Sequence, residues 1–442
     1  MRGIPAKRIK YSLDIPQRPN VIGTLLVCGQ GEVGQLGLGD ENERKRPTPV
    51  QSVKDVVDIC AGGMHSMCLT KNGDIYSFGC NDEGALGHPT TEEGSELVPG
   101  KIDLPGKSVK ISAGDSHSAC LLEDGRVFAW GTFRNSHGAM GLTMNGIERL
   151  PIEILPGVKC CDIASGADHL ILLACDGKVF TMGSGEQGQL GRISLRSAAG
   201  DSRQGKNELL KPAPISISKI NRCDGIWATT SCTYLRKYDS TEVFAFGLNN
   251  YHQLSLKSAK TKGPPELIIN PVETNYKDVK KICGGQHHTL LLTNDGKVYA
   301  IGRRDYGRLG LGNLQDDVNE LKSIEAFEKL KIIDIACGEA QSFAIAENGT
   351  VYAWGMGTNL QLGTGNEEDE EQPVAVVSKS LQDKRVIRVD SGGQHSLFLV
   401  SDANHNNNYQ KSVEPVVNST TTNEVTENAT VTKVKGRKRK AQ

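Results

Sequence analysis

The sequence predicts an all-β protein, a closed seven-bladed β-propeller with four short antiparallel strands in each blade. The first observation behind this prediction is a repeat. A glycine that follows an apolar stretch opens each of seven copies, at Gly29, Gly79, Gly131, Gly183, Gly247, Gly302 and Gly355. The intervals between these glycines are 50, 52, 52, 64, 55 and 53 residues. A period of this length indicates a solenoid or a propeller rather than a row of unrelated domains.

The second observation is a turn signal inside most copies. An Asn-Gly or Asp-Gly pair occurs at Asn72-Gly73, Asp124-Gly125, Asp176-Gly177, Asp295-Gly296 and Asn348-Gly349. These pairs tolerate the positive φ of type I′ turns and therefore predict β-hairpins. A histidine phrase precedes the turn, as in Gly63-Met64-His65, Asp115-Ser116-His117, Ala167-Asp168-His169, Gln286-His287-His288 and Gln394-His395. Short strands in repeated units of four are typical of propeller blades.

The third observation concerns the two ends of the repeat region. The first copy begins with the strand that follows a turn, at residues 25–29, and the last copy ends before that strand, at residues 393–400. We therefore expect the two ends to complete one blade, which closes the ring and removes exposed sheet edges. An open solenoid would leave two edges that need caps. The predicted boundaries are a flexible basic arm at 1–20, the propeller at 21–402 and a disordered basic tail at 403–442.

Charge is distributed unevenly along the chain. The net charge is −1, but residues 1–20 and residues 403–442 each carry +4, which leaves −9 on residues 21–402. An acidic body with basic ends predicts two kinds of partner. The basic cluster near the C-terminal end is suited to DNA phosphates or to a nuclear import receptor, and it includes Arg437, Lys438, Arg439 and Lys440. A merely solvated tail is the alternative.

Composition and motifs exclude several classes of protein. No apolar run reaches the roughly 18 residues of a membrane span, so we expect no membrane partner. The 12 cysteines are scattered without a Cys-x-x-Cys pair, which is typical of reduced cysteines and predicts no metal site. No hydrolase, metalloprotease or phosphate-loop motif is complete. We therefore expect neither a cofactor nor covalent catalysis.

Function is expected where single copies depart from the repeat. Asp115 stands two positions before the repeat histidine, where other copies have Gly63, Ala167, Gly285 and Gly393, and Asp168 stands one position before it. Both carboxylates should lie at one rim of the ring and could pair with cationic groups of a partner. Glu32 and Glu339 are weaker candidates. The alternative is that each carboxylate only caps local backbone amides.

The third copy also carries an insertion. Seven positions separate Gly131 from Gly138, whereas the corresponding glycines of four other copies are five apart. The extra residues lie within Phe133, Arg134, Asn135, Ser136 and His137. An insertion in a tight turn should protrude, and Phe133 with Arg134 is a suitable probe of another protein. A tolerated surface insertion is the alternative.

The longest interval contains an extra stretch at residues 194–211, which we call the basic excursion. Five basic and two acidic residues lie between positions 192 and 211. It could dock on an acidic surface or could simply be solvated. The repeat histidines His65, His117, His169 and His395 are expected to be structural because they recur in most copies. The doubled pair His287 and His288 is the exception.

These phrases resemble the regulator of chromosome condensation family, the nuclear exchange factors for the small GTPase Ran, over about residues 21–402. The most specific stretches are residues 78–87, 113–117, 284–289 and 354–359. The resemblance implies that Asp115 and Asp168 are needed for exchange and that His287 supports GTPase binding. It also implies that the loop from Phe133 to Met140 enters the nucleotide-binding region of Ran.

The same resemblance implies chromatin contacts. The basic excursion would dock on the acidic patch of the histone core through Arg192, Arg196 and Arg203. The basic ends would bind nucleosomal DNA and import receptors, with Lys7, Arg8 and Lys10 as the candidates at the N-terminal end. We expect a nuclear, chromatin-associated protein that uses one rim for Ran and the other rim for the nucleosome. The alternative is a propeller of the same repeat family that acts as an interaction scaffold without exchange activity. A photoreceptor of this repeat type needs clustered tryptophans, and Trp130, Trp227 and Trp354 are far apart in sequence.

Overall fold

The computed structural model describes residues 12–198, 203–216, 222–257 and 266–402. The first strands in chain order are β1 (Thr24–Gly29), β2 (Arg44–Pro49), β3 (Val56–Ala61), β4 (His65–Thr70), β5 (Ile75–Gly79), β6 (Gly100–Lys101), β7 (Ser108–Ala113), β8 (His117–Leu122), β9 (Val127–Gly131), β10 (Phe133–Asn135), β11 (Gly138–Gly141), β12 (Glu148–Ile154), β13 (Cys160–Ser165), β14 (His169–Ala174) and β15 (Val179–Gly183). The remaining strands are β16 (Ala213–Pro214), β17 (Cys223–Thr229), β18 (Cys232–Lys237), β19 (Val243–Leu248), β20 (Leu267–Glu273), β21 (Val279–Gly284), β22 (His288–Thr293), β23 (Val298–Gly302), β24 (Val318–Ser323), β25 (Ile332–Cys337), β26 (Gln341–Ala346), β27 (Val351–Gly355), β28 (Glu370–Ala375), β29 (Lys384–Ser391) and β30 (His395–Asp402).

Helical structure is sparse in the described residues. Two short α-helices, α1 (Leu195–Ala198) and α2 (Arg203–Leu210), lie in the basic excursion. Single turns of 3₁₀-helix occur at Ser95–Leu97, Asp305–Gly307, Glu325–Phe327 and Lys379–Leu381. No helix among the described residues is both long enough and apolar enough to cross a bilayer.

The described strands form seven four-stranded antiparallel sheets, which we call blades 1 to 7. From the innermost strand outwards they are β3-β4-β5-β6, β7-β8-β9-β12, β13-β14-β15-β16, β17-β18-β19-β20, β21-β22-β23-β24, β25-β26-β27-β28 and β29-β30-β1-β2. Strands β10 and β11 pair with each other as a separate hairpin. The predicted all-β propeller with four strands in each blade is confirmed.

Blade 7 contains strands from both ends of the chain. Strand β1 pairs with β30 from Thr24 opposite Val400 to Gly29 opposite His395. The N-terminal segment therefore supplies the two outer strands of this blade and the C-terminal segment supplies the two inner ones, as the sequence predicts.

The Asn-Gly and Asp-Gly pairs lie in hairpin turns, but the predicted turn type is wrong. Gly73 and Gly125 have φ values of 81° and 88°, whereas the residues before them do not have positive φ. The Gly73 N–H donates to the Thr70 carbonyl at 2.9 Å, which closes the turn one residue earlier than a type I′ turn would. The geometry is that of a type I turn followed by a left-handed glycine.

A Gly-x-Leu-Gly phrase recurs in several repeats, for example at residues 84–87 and 307–310, and aromatic side chains explain why it ends in glycine. A Cβ on Gly87 would lie 2.7 Å from Nε1 of Trp130, and one on Gly310 would lie 2.8 Å from Nε1 of Trp354. Both tryptophans are fully buried and belong to the next blade along the chain. The glycine therefore lets two blades approach closely, and this contact recurs because the blades recur.

The repeat histidines connect neighbouring blades. His65 lies 2.7 Å from the Ser118 hydroxyl of blade 2, and His288 lies 2.9 Å from the Ser342 hydroxyl of blade 6. These two histidines are completely buried, and burial lowers the pKa of His65 to about 4. Both are neutral, buried and hydrogen-bonded across blades. This is the structural role that the sequence predicts for His65, and His288, which the sequence set apart as an exception, has the same role.

Part of the predicted N-terminal arm lies against the propeller. The Leu13 N–H donates to the Cys175 carbonyl at 2.7 Å, and the Arg18 Nε donates to the Ser108 carbonyl at 2.6 Å. Residues 12–20 therefore belong with the propeller and are not a flexible arm. Residues 1–11 and the predicted tail at 403–442 lie outside the described residues.

Candidate functional site

One rim of the propeller carries the candidate residues, and we call it the front rim. It is the rim where the first strand of each blade turns into the second, because connections between antiparallel strands alternate between the two ends of a sheet. Asp115 lies between β7 and β8, Asp168 between β13 and β14, and His287 between β21 and β22. The connection from the third strand of each blade to the fourth leaves at the same rim, so the β10–β11 hairpin of blade 2 also lies there.

Strand pairing corrects the repeat register in blade 5. His65 pairs with Gly79 and His169 with Gly183, and the equivalent partner of Gly302 is His288. The sequence indicates His287 as the repeat histidine of this copy, but the repeat histidine is His288, so the predicted alignment was off by one residue. His287 occupies the same repeat position as Asp168, one residue before the buried histidine, so both side chains are presented at the front rim.

Asp115 lies at the inner edge of the front rim. Its backbone N–H donates to the Ala167 carbonyl of blade 3 at 2.8 Å, while its side chain is exposed. Solvent reaches Asp115, but the surrounding rim partly removes its carboxylate from water. This desolvation, followed by the negative charges of Asp168 and Glu339, raises the pKa of Asp115 to about 7. A cation supplied by a partner would relieve this repulsion.

Asp168 contacts the inserted hairpin directly. Its Oδ1 accepts the Arg134 backbone N–H at 2.7 Å. Burial raises the pKa of Asp168 to about 6, helped by Glu83 and Glu186, while Arg134 opposes the rise. The carboxylate is therefore neither free nor a cap of its own turn, because its partner is 34 residues away in sequence.

The inserted hairpin has a buried base and an exposed tip. Phe133 is completely buried and its ring centroid lies 4.6 Å from that of His117. The prediction that Phe133 protrudes as a probe is therefore wrong, because its side chain fills the core between blades 2 and 3. The exposed part of the tip is formed by Arg134, Ser136 and His137, with Asn135 and Gly138 half-buried.

Two glutamates that the sequence analysis missed hold this tip. Glu83 of blade 1 forms an ion pair with the Arg134 guanidinium. Glu186 of blade 3 accepts the Ser136 backbone N–H at 2.9 Å and the Ser136 hydroxyl at 2.6 Å. Glu83 lies between Gly79 and Gly84, and Glu186 lies between Gly183 and Gly188. An acidic residue in this short segment was the sequence signal that could have identified both glutamates. Glu32, the equivalent of Glu186 in blade 7, is exposed.

His287 lies in an aromatic and cationic part of the front rim. Its ring centroid is 4.9 Å from that of Tyr251, and the Arg303 guanidinium lies 5.4 Å from the centroid of the same tyrosine. Burial and then the positive charges of Arg308 and Arg303 lower the pKa of His287. The imidazole is therefore neutral near pH 7 and offers a hydrogen bond rather than a charge.

The basic excursion lies beside the front rim. It starts where β15 ends, and Arg192 donates to the Thr181 carbonyl at 3.0 Å and to the Glu208 carbonyl at 2.9 Å. The described part of the excursion is therefore held against β15 of blade 3, and the rim at which it would meet the nucleosome stays a prediction. Arg196 is exposed, and Arg203 begins α2 with its side chain outside the described residues.

The remaining candidates cannot be placed. Lys7, Arg8 and Lys10 precede the described residues, and Arg437, Lys438, Arg439 and Lys440 follow them. Their contacts with DNA or import receptors stay predictions.

Comparison with known proteins identifies the class to which this fold and rim belong. Residues 24–398 match the model of the RCC1-like domain. The chain is 54% identical over 394 residues to the regulator of chromosome condensation of Drosophila melanogaster, covering 89% of this chain and 71% of the relative. It is 30% identical to the guanine nucleotide exchange factor SRM1 of Saccharomyces cerevisiae, covering 84% of this chain and 85% of that protein.

A solved structure supports the same family assignment. The crystal structure of Prp20p from Saccharomyces cerevisiae, described with its binding properties to Gsp1p and histones, superposes with a TM-score of 0.77 at 28% identity. The superposition covers 89% of this chain and 93% of that one. The chain belongs to the regulator of chromosome condensation family.

Proposed function

We propose that this protein is a guanine nucleotide exchange factor for the small GTPase Ran, releasing GDP so that GTP can load. The observation that carries the proposal is the β10–β11 hairpin at the front rim, held between Asp168 and two glutamates, beside the exposed carboxylate of Asp115. Family membership and the exchange factor among the relatives support the same function.

Exchange of this kind needs no covalent step. A protein that binds the nucleotide-free GTPase more tightly than the loaded GTPase must weaken nucleotide binding by the same factor. Accelerating release by roughly 10⁵-fold would require about 7 kcal/mol of preferential stabilisation of the release transition state. The front rim supplies docking through Asp115 and His287, and the hairpin tip perturbs the phosphate and metal site. Nucleotide supply sets the direction of exchange.

The hairpin tip is suited to this task by its rigidity. Its base is buried through Phe133, and Asp168 and Glu186 accept backbone N–H groups of Arg134 and Ser136. A tip that is fixed before docking loses little conformational entropy on insertion, so more of the contact energy is available to displace nucleotide. Asp168 thus acts in exchange through the hairpin.

Chromatin attachment is the second part of the proposal. We infer that Arg196 and Arg203 of the basic excursion bind the acidic patch of the histone core, and that the basic ends bind nucleosomal DNA and import receptors. The Arg192 guanidinium donates to the Thr181 carbonyl of β15 and to the Glu208 carbonyl of α2, so its contribution is to hold the excursion against blade 3. The protein would then act in the nucleus, bound to chromatin.

The direct test is release of fluorescently labelled GDP from purified Ran with and without the full-length protein. The proposal predicts fast release in the presence of unlabelled nucleotide. Release at the spontaneous rate would favour the alternative, a scaffold of the same fold without exchange activity.

A further inference from the structure

The hairpin tip is attached to the rest of the molecule by carboxylates. In the described part of the chain, every hydrogen bond or ion pair that links residues 134–137 to residues outside the β10–β11 hairpin ends on Asp168, Glu83 or Glu186. Glu83 comes from blade 1, whereas Asp168 and Glu186 come from blade 3. The tip, which belongs to blade 2, is therefore held from both sides.

The three carboxylates repel one another, so their convergence depends on a positive charge that the hairpin supplies. Glu83 and Glu186 both raise the pKa of Asp168 through their negative charges, and the Arg134 guanidinium lowers it. Arg134 thus provides the positive charge that allows three acidic groups to converge on one segment. Backbone N–H donors of Arg134 and Ser136 add direction, because a hydrogen bond fixes orientation as well as distance.

We propose that Glu83 and Glu186 are positioning residues that fix the orientation of the hairpin tip and thereby set the maximum rate of exchange. The inference rests on the proposed exchange function. Neither glutamate needs to touch the GTPase. Their loss should leave docking through Asp115 and His287 intact, so the affinity for Ran should change less than the rate constant of the complex.

A double-mutant cycle tests the link between Glu186 and Ser136. E186A removes both acceptors from Ser136, whereas S136A removes only the hydroxyl bond. We expect E186A to lower kcat more than tenfold with KM for Ran changed by less than twofold, and S136A to have a smaller effect. The double variant should be no slower than E186A, since the two residues act through the same bonds. E153A, an exposed site on β12 of blade 2, is the matched control.

Hydrogen exchange gives a readout that does not depend on activity. Peptides covering residues 133–141 should exchange faster in E186A and in E83A than in the unmodified protein and E153A, with the rest of blade 2 unchanged. Unchanged protection of this segment would overturn the inference even if exchange on Ran is confirmed. Additive effects in the cycle, or a raised KM at constant kcat, would also overturn it. An inactive unmodified protein would instead contradict the proposed function and leave the hydrogen-exchange result to decide the positioning role.

A second inference concerns two cysteines in the wall of the central cavity. This cavity of about 650 Å³ is lined by the innermost strands of the blades. The Sγ atoms of Cys283 on β21 and Cys337 on β25 lie 3.1 Å apart, about 1 Å more than the length of a disulfide bond. Both cysteines are half-buried, and they belong to neighbouring blades.

We infer that Cys283 and Cys337 are a peroxide-sensitive pair that forms a disulfide between blades 5 and 6. One cysteine loses its proton, and the resulting thiolate attacks an oxygen of hydrogen peroxide and becomes a sulfenic acid. The O–O bond breaks, and the hydroxide that leaves takes up the cysteine's proton to give water. The second sulfur then attacks the sulfenic sulfur, forms the S–S bond and releases a second water. Overall, two thiols and one peroxide give a disulfide and two waters. Burial raises the pKa of Cys283 and so lowers its thiolate fraction; oxidation should therefore be slow near neutral pH and accelerate as pH rises.

Mass spectrometry of the peroxide-treated full-length protein tests this pair. A non-reducing digest should contain one peptide pair that joins positions 283 and 337, and the C283S variant should lack it. C80S, which removes a half-buried cysteine elsewhere in the chain, should form the same link. If Cys283 and Cys337 are alkylated after unfolding as completely as in untreated protein, the inference is wrong.

Discussion

The Asp168 carboxylate accepts the backbone N–H of Arg134 at 2.7 Å, so a rim residue of blade 3 is bonded to the inserted hairpin of blade 2. This bond joins the two features that the sequence singled out independently, a carboxylate beside a repeat histidine and an insertion in one repeat. It gives Asp168 a role that is distinct from that of Asp115. Asp115 faces solvent at the rim, whereas Asp168 acts on the part of the protein that would enter the GTPase.

Substitution of Asp168 should therefore lower the rate of exchange more than the affinity for Ran. A solvent-accessible hydrogen bond of this kind contributes about 0.5–1.5 kcal/mol, so losing it corresponds to roughly 2- to 13-fold in rate if the hairpin must be in place. D168A should show this loss in stopped-flow release of labelled GDP, and D168N, which keeps one acceptor oxygen, should lose less. Equal losses in the two variants would point to the charge rather than the bond.

Exchange should weaken as pH falls from about 7.5 to about 5.5. The pKa values of Asp115 and Asp168 are raised to about 7 and about 6, so both carboxylates gain protons in this range and lose their attraction for cationic groups. The profile of kcat/KM against pH should show this fall at constant ionic strength. In D115N the upper part of the fall should disappear. A D115N profile that matches the unmodified one would exclude Asp115 as the titrating group.

The same shift predicts how Asp115 affects stability. The folded protein binds the Asp115 proton more tightly than the unfolded chain, where an aspartate has a pKa of about 3.9. Its contribution to stability is therefore fully present below about pH 4 and is lost as pH rises through about 7. D115N should raise Tm relative to the unmodified protein at pH 8 and have less effect at pH 4, as measured by calorimetry. A Tm difference that does not depend on pH would contradict the shifted pKa.

The arginines of the basic excursion should divide into two groups. R192A should lower Tm because it leaves several backbone carbonyls without their donor, and R196A should leave Tm unchanged because Arg196 is exposed. The double variant of Arg196 and Arg203 to Ala should weaken nucleosome binding with exchange on free Ran intact. Loss of both activities in that variant, with an unchanged circular dichroism spectrum, would indicate one shared site.

The basic tail should contribute salt-dependent binding to chromatin. Each phosphate contact adds close to one unit to the slope of log affinity against log salt, so deletion of residues 403–442 should flatten that slope. Exchange on free Ran should be unaffected. Identical slopes for the full-length and shortened proteins would mean that the tail is only solvated.

The fold could be predicted from the sequence because the signal recurs. A period near fifty residues, hairpin turns and two half-blades at the ends specify a propeller without any single residue having to be interpreted correctly. The turn type was missed because Asn-Gly suits more than one hairpin geometry. The register of blade 5 was missed because His287 and His288 are adjacent, and only strand pairing shows which histidine is buried.

The site was predicted less completely because its contacts join distant parts of the chain. Glu83 and Glu186 are about fifty residues from the hairpin residues that they bind, and no local pattern connects them. The burial of Phe133 depends on the space between two blades, which the sequence does not display. By contrast, Asp115 and Asp168 were detected because each differs from the residues at the same position in other repeats.

Deleting Ser136 and His137 tests the central claim most directly, because it restores the five-residue spacing that four other repeats have between their glycines. Release of labelled GDP from Ran should be measured with the unmodified protein and with this deletion, both verified as folded. We expect fast release with the unmodified protein and near-spontaneous release with the deletion variant, which should still bind nucleotide-free Ran. A deletion variant that releases GDP as fast as the unmodified protein would contradict the role assigned to the hairpin.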